Sequence, residues 1–241
     1  MSSCVSISGS GNVDVTVYGR GTVIAASGND SIDITGRGKI IVGSGHDTLT
    51  LGDGGKVWPY GSSGTDTINL GKGHYTIYEQ GQATVTGTFG QATVSGGELR
   101  IQSHGHGISQ EIAVSGKITL LGASANTEFV SRGGWTTVMD PGKGNDTFIG
   151  GSGHDTMIGG SGHDLFEFLK SQAGGQHVIE NFISGQDQLY LEGHSLSWLQ
   201  SHGDISSSGG NTYISLDCGK TTIELQGVST LNASDVATHK H

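Results

Sequence analysis

The segment GKGNDTFIGGSGHDTMIGGSGHD, residues 142–164, sets an aspartate at 146, 155 and 164, nine residues apart each time and each shortly preceded by glycine. In register the units read PGKGNDTFI, GGSGHDTMI and GGSGHDLFE, a Gly-Gly-x-Gly-x-Asp-x-apolar-x pattern. Such a period describes a coil of small equivalent units. Glycine tolerates positive φ, so the first six residues of a unit can curl until their backbone carbonyls converge on one point. A hard cation such as calcium takes six to eight oxygens at about 2.3–2.6 Å, and the aspartate supplies the charge. The remaining three residues form a short strand whose central side chain, Phe148, Met157 or Phe166, faces inward. Two nonapeptides complete one turn of a flattened coil. Asp146 then sits over Asp164, while Asp155 has Thr137 and Ala173 as its neighbours.

Degraded copies extend toward the amino terminus. Turn acids recur at Asp30, Asp47 and Asp66, spaced 17 and 19 residues, with Asp14 another 16 earlier. Between them run alternating apolar pairs, Ile32/Ile34, Ile40/Val42, Leu49/Leu51 and Ile68/Leu70, which read as strands with one face inward. The intervening turns lack acid and carry Arg20, Arg37, Lys56 and Lys72 instead, a basic row on the opposite edge. GQATV recurs nine residues apart at 81–85 and 90–94 without a turn acid, so the coil persists there without the cation chemistry. From 98 to 140 the spacing drifts, and Glu98, Glu111, Glu128 and Asp140 share no phase.

Glycine at 44 of 241 residues would also suit a disordered chain, but disorder does not explain β-branched residues in regular alternation. The fold expected is all-β, a right-handed parallel β-roll and β-helix with calcium-binding turns. A formal charge of −10 argues against nucleic acid or an anionic membrane as partner, since both favour a basic surface. No apolar run nears the roughly 20 residues of a transmembrane helix, and MSSCVSISGSGNVDV has neither the basic start nor the apolar centre of a signal peptide. Cys4 and Cys218 allow one bridge at most.

Residues 141 to about 238 resemble the carboxy-terminal module of type I secreted repeats-in-toxin proteins. GGQHVIENFISGQDQLYL follows that family's closing segment, with Gly185 and Asp187 matching and His177 and Asn181 standing where it carries aspartate. The tail from GGNTYISLDCGK to GVSTLNASD resembles its uncleaved secretion region. The resemblance implies several calcium ions, export by a type I secretion machinery, folding outside the cell, and a secreted bacterial location. It further implies that one ion takes carbonyls of Gly142 and Gly144 with Asp146, and of Gly159 and Ser161 with Asp164; Gly151, Gly153 and Asp155 form the unit between. Asp187 and the turn acids Asp14, Asp30, Asp47 and Asp66 complete the metal candidates. Four segments result: 1–97, a degenerate β-helix with one calcium-binding edge; 98–140, irregular coils; 141–167, the nonapeptide β-roll; and 168–241, a capping and secretion region.

Other candidates carry less. His46, His154 and His163 each precede a turn acid and read as solvent-facing turn residues; His104 and His106 are too few for a zinc site. A row of Arg20, Arg37, Lys56 and Lys72 would suit an acidic polysaccharide or cell surface, although basic residues also keep exposed edges from aggregating. Arg100, Lys117 and Arg132 have no carboxylate cluster beside them, and no nucleophile or phosphate motif occurs. The function expected is an adhesion or polysaccharide-binding module. The alternative is a small β-helical enzyme of lyase or epimerase type acting on acidic polysaccharide.

Overall fold

Runs of four to six residues that alternate between apolar and polar give strands with one buried face, as in Ser31–Ile34, Thr48–Leu51 and Thr65–Leu70. The structure, a computed structural model, describes residues 2–6, 10–60, 64–88, 91–95, 98–103, 109–113, 117–121, 126–131, 136–140 and 142–239. His104, His106 and Arg132 lie outside the described residues. The chain forms two compact units, residues 1–119 and 120–241, and each is a parallel β-solenoid.

In the first unit Asp14–Val17, Ser31–Ile34, Thr48–Leu51, Thr65–Leu70, Gln82–Gly87 and Glu98–Ser103 stack in parallel in one sheet. Arg20–Ile24, Gly38–Val42, Gly55–Pro59, His74–Tyr78 and Gln91–Ser95 stack in the facing sheet. Inward residues of the two sheets make a thin aliphatic core: Ile32, Leu49, Ile68 and Val85 from one, Val23, Ile40, Val57 and Ile77 from the other, all buried. Turns stack as closely as strands. A Cβ on Gly45 would stand 1.8 Å from the Gly28 carbonyl oxygen, so no other residue fits there.

The second unit stacks Thr127–Ser131, Thr147–Gly150, Leu165–Phe168 and Gln188–Leu191 in parallel, opposite Thr136–Asp140, His154–Ile158, Gly175–Glu180 and Thr221–Leu225. Its core is aromatic. Phe129, Phe148 and Phe166 stack at centroid separations of 5.6 and 4.7 Å, and Met157 fills the facing side. The two tail strands turn the sheet antiparallel, Asn211–Leu216 pairing with Thr221–Leu225 and then with Ile205–Ser208. A helix that the strand pattern does not foresee, Leu196–His202, buries Leu196 and Leu199; Ser195 caps its start and Gly203, at φ 74°, ends it. Both Cys4 and Cys218 are free and exposed. Among the described residues, no helix is long and apolar enough to cross a membrane.

Two expectations of register change. Asp155 pairs across the strands with Thr137 on one side, as read, but with His177 rather than Ala173 on the other. A 3-10 turn at Lys170–Gln172 lengthens that coil. The basic residues do not form a single row either. Arg20 and Arg37 precede the paired glycines Gly21 and Gly38, whereas Lys56 pairs with Lys39 further along the strand. Gly55 pairs with Tyr75, so the coil holding Lys72 is longer than its neighbours and Lys72 drops out of register.

Candidate metal centre

The turn aspartates are buried and linked from coil to coil. In the first unit, Val13 N donates to Asp30 Oδ1 at 3.0 Å, Asp30 N to Asp47 Oδ1 at 2.8 Å, and Asp47 N to Asp66 Oδ1 at 3.0 Å. The second unit repeats the pattern: Thr127 N to Asp146 at 2.6 Å, Asp146 N to Asp164 at 2.9 Å, and Asp164 N to Asp187 at 3.0 Å. Asp14 does not join this column. It is exposed and pairs with Ser31, which puts Val13 where Asp30 stands one coil later.

A parallel outer ladder lies one residue earlier. Asn29 N donates to Asn12 Oδ1 and His46 N to Asn29 Oδ1, both at 2.9 Å, while His46 Nδ1 receives Thr65 N at 3.0 Å. In the second unit Asn145 N donates to Asn126 Oδ1 and His163 N to Asn145 Oδ1, both at 3.0 Å. His46 therefore holds an exposed turn as asparagine does, whereas the exposed His163 ring meets the Gln186 carbonyl oxygen at 3.0 Å. His154, at the start of a strand, is exposed and outside the ladder.

The second carboxylate oxygens are what the protein leaves unsolved. Among the described residues, Oδ2 of Asp30, Asp47, Asp146 and Asp164 is buried with no hydrogen-bond partner. Glu79 joins them: its Oε1 accepts from Gln80 N and Gly81 N at 2.9 and 2.8 Å, and its Oε2 is buried without a partner. Unpaired buried carboxylate oxygens are costly, and the cost appears in their acidity. Burial pushes Asp146 and Glu79 up to about 7, and Asp47 and Asp164 up to about 6; neighbouring carboxylates add to each rise. Asp30, Asp66 and Asp187 are raised as well, chiefly by burial.

A divalent cation that prefers oxygen would satisfy these atoms and remove the repulsion along the row. Among the described residues no three His, Cys, Asp or Glu side chains converge on one point, so such an ion must draw several oxygens from turn carbonyls. The turns bring such carbonyls together in stacked pairs: Gly144 N donates to the Ser161 carbonyl at 3.0 Å and Ser161 N to the Gly142 carbonyl at 3.1 Å. A family model for the RTX calcium-binding nonapeptide repeat, in four copies, matches residues 60–77 and 142–166. The chain carries RTX-type calcium-binding repeats. Comparison with curated proteins finds no match. The matched RTX segments hold Asp66, Asp146, Asp155 and Asp164, three of them in the buried column. Calcium bound at such turns would supply positive charge beside Asp146 and Asp164, whose carboxylates repel each other.

Asp187 meets its needs without a cation, and Asp155 does so for one of its two oxygens, Oδ1 remaining buried with no hydrogen-bond partner among the described residues. Asp187 uses both oxygens, Oδ2 accepting from Ile183 N at 2.8 Å, and the loop of Gly185 is fixed by buried Asp235, which accepts from Gly185 N and Ser184 Oγ at 2.7 Å each. Asp155 stands beyond Gly151 and Gly153 and faces His177, whose Nδ1 lies 3.1 Å from its Oδ2, both side chains fully enclosed. His177 Nε2 meets the Gly174 carbonyl oxygen at 3.0 Å. On this edge an imidazole does what an aspartate of the closing segment would not. Removing one partner of a buried pair is expensive, so His177→Leu is expected to cost about 3–5 kcal/mol in calcium-saturated thermal melts. The double variant with Asp155→Leu should cost less than His177→Leu alone; an equal or greater loss would show that the pair is not the coupling element.

Sequence reasoning missed Glu79, Asp235 and the asparagine ladder. Glu79 follows Asp66 at a shorter interval than a coil and has its glycine after it, so it matches no repeat.

Proposed function

We propose that this protein is a secreted module whose folding calcium drives, and that once folded it serves as a surface or matrix adhesion or polysaccharide-binding element. One observation carries the first half: a column of buried carboxylates in each unit, with second oxygens that have no hydrogen-bond partner among the described residues. A chain with these repulsions stays open where free calcium is scarce and closes where it is plentiful. That behaviour suits export of an unfolded chain by a type I machinery, and RTX repeat proteins are typically secreted by bacteria. Several ions are involved in this reading, with Asp146 and Asp164 sharing one and Asp30, Asp47, Asp66 and Glu79 lining others.

The shared ion gives the test. In calorimetric calcium titration, Asp146→Ala and Asp164→Ala are each expected to remove the same binding event, and the double variant should be little worse than either. Additive losses would mean that the two carboxylates serve separate ions.

A further inference from the structure

We infer that the outward face of the sheet formed by Arg20–Ile24, Gly38–Val42, Gly55–Pro59 and His74–Tyr78 binds an acidic polysaccharide, a chain of uronate sugars; this rests on the polysaccharide-binding reading and makes it specific. Outward residues on these strands alternate with the buried aliphatics, so their positions are set by the core. Thr22, Lys39, Lys56 and Thr76 pair in one column running across the strands, at the sheet spacing of about 4.8 Å per rung. Arg20 and Arg37 flank that column. The four cations border a shallow groove of about 580 Å³. Among the described residues none of them forms an ion pair with a carboxylate. On a protein of net charge −10 this is a local positive field without an internal partner.

Beside the cations lies an aromatic group. Lys39 Nζ sits 3.8 Å from the centroid of the Trp58 ring, and Lys56 Nζ 5.7 Å from it. Tyr78 and Tyr60 meet the same ring edge-on at 5.6 and 6.4 Å, and both tyrosines are exposed. Trp58 Nε1 is buried, with no acceptor among the described residues, so the ring would present its face and edge rather than its N–H. Aromatic rings, ammonium groups and threonine hydroxyls on one sheet face match a sugar polymer that offers ring faces, carboxylates and hydroxyls together. Single-stranded nucleic acid also pairs stacking with charge, but it carries one phosphate for about every 3.4 Å of strand. Four cations on an otherwise acidic molecule suit the sparser charge of a uronate chain.

The test is calorimetric titration of the calcium-loaded protein with polygalacturonate oligomers at two salt concentrations, with dextran and oligo(dT) as comparators. Polygalacturonate should bind, and weaken as salt rises. Lys39→Gln with Lys56→Gln is expected to weaken it at least about tenfold and flatten the salt dependence; Trp58→Ala is expected to weaken it about tenfold and keep the salt dependence. Tyr78→Ala, at an exposed position, tests the aromatic contribution if Trp58→Ala does not fold. Wild-type protein that ignores polygalacturonate, tighter binding of oligo(dT), or unchanged binding in the lysine double variant would each overturn the assignment. Calcium-induced circular dichroism recorded on the same samples distinguishes failure here from failure of calcium-driven folding.

Discussion

Calcium-stripped protein is expected to show a far-ultraviolet β signal that strengthens on acidification from pH 7.5 to 4.5, whereas calcium should strengthen it far more at pH 7.5. The turn carboxylates begin from ordinary values near 3.8 for aspartate and 4.5 for glutamate, and burial raises Asp47 and Asp164 to about 6 and Asp146 and Glu79 to about 7. Between about pH 4 and 7 the folded chain therefore holds protons that the unfolded chain has released. Stability falls as pH rises through that window, as the buried row loses the protons that the folded state holds. Below it the carboxyls are neutral in both states and the repulsion is absent. Calcium acts on the deprotonated row, and a site held at a hundredfold excess over its dissociation constant adds about 2.7 kcal/mol. Melting curves at both pH values, with and without calcium, decide the matter. A stripped protein that melts higher at pH 7.5 than at 4.5, or a calcium-indifferent melt at pH 7.5, would falsify the account.

Gly162→Ala and Gly45→Ala should each unfold their unit at ambient temperature, with losses on the order of 4 kcal/mol or more. At Gly162 the added Cβ would stand 1.5 Å from the Gly144 carbonyl oxygen, and at Gly45 1.8 Å from that of Gly28. Their φ angles, +144° and +156°, are also ones that side-chain-bearing residues rarely adopt. The obstacle in each case is backbone of the coil below, which cannot move without breaking the turn ladder. Gly11→Ala is the control: its Cβ meets nothing within 4 Å, and a change within about 0.5 kcal/mol is expected. Comparable melts for all three variants would show that turn stacking is looser than described.

The nonapeptide register was legible because a strict period constrains both the turn and the inward strand residue. Phe148, Met157 and Phe166 are fully buried, and Asp146 stacks on Asp164, as the spacing requires. Where the period slackens, single-residue errors enter. The 16-residue step from Asp14 to Asp30 is one short of the 17 that links Val13 with Asp30, and a slip of one residue moves a side chain to the other face. Lys39 was hidden inside an apolar strand, GKIIV, and its closeness to Lys56 depends on a pairing register that composition does not reveal. Glu79 and His177 were obscure for a related reason. Each takes up a role of the repeat from a segment that breaks its spacing.

The two turn ladders point in opposite directions along the chain. Asparagine and His46 oxygens or nitrogens of one coil hold amides of the next, but these are exposed, and water can replace them. Buried amides such as Asp30 N and Asp146 N are satisfied by the carboxylate of the following coil. Each unit therefore has a polarity of assembly, in which an incoming coil is templated from its carboxy-terminal side. Glu79 and Asp187, which accept amides of their own loops, can be set before any further coil arrives and so act as starting points. Deleting a coil should then destabilise the one before it more than the one after, and growth of the solenoid is expected to run backward along the chain, against the order in which a ribosome makes it.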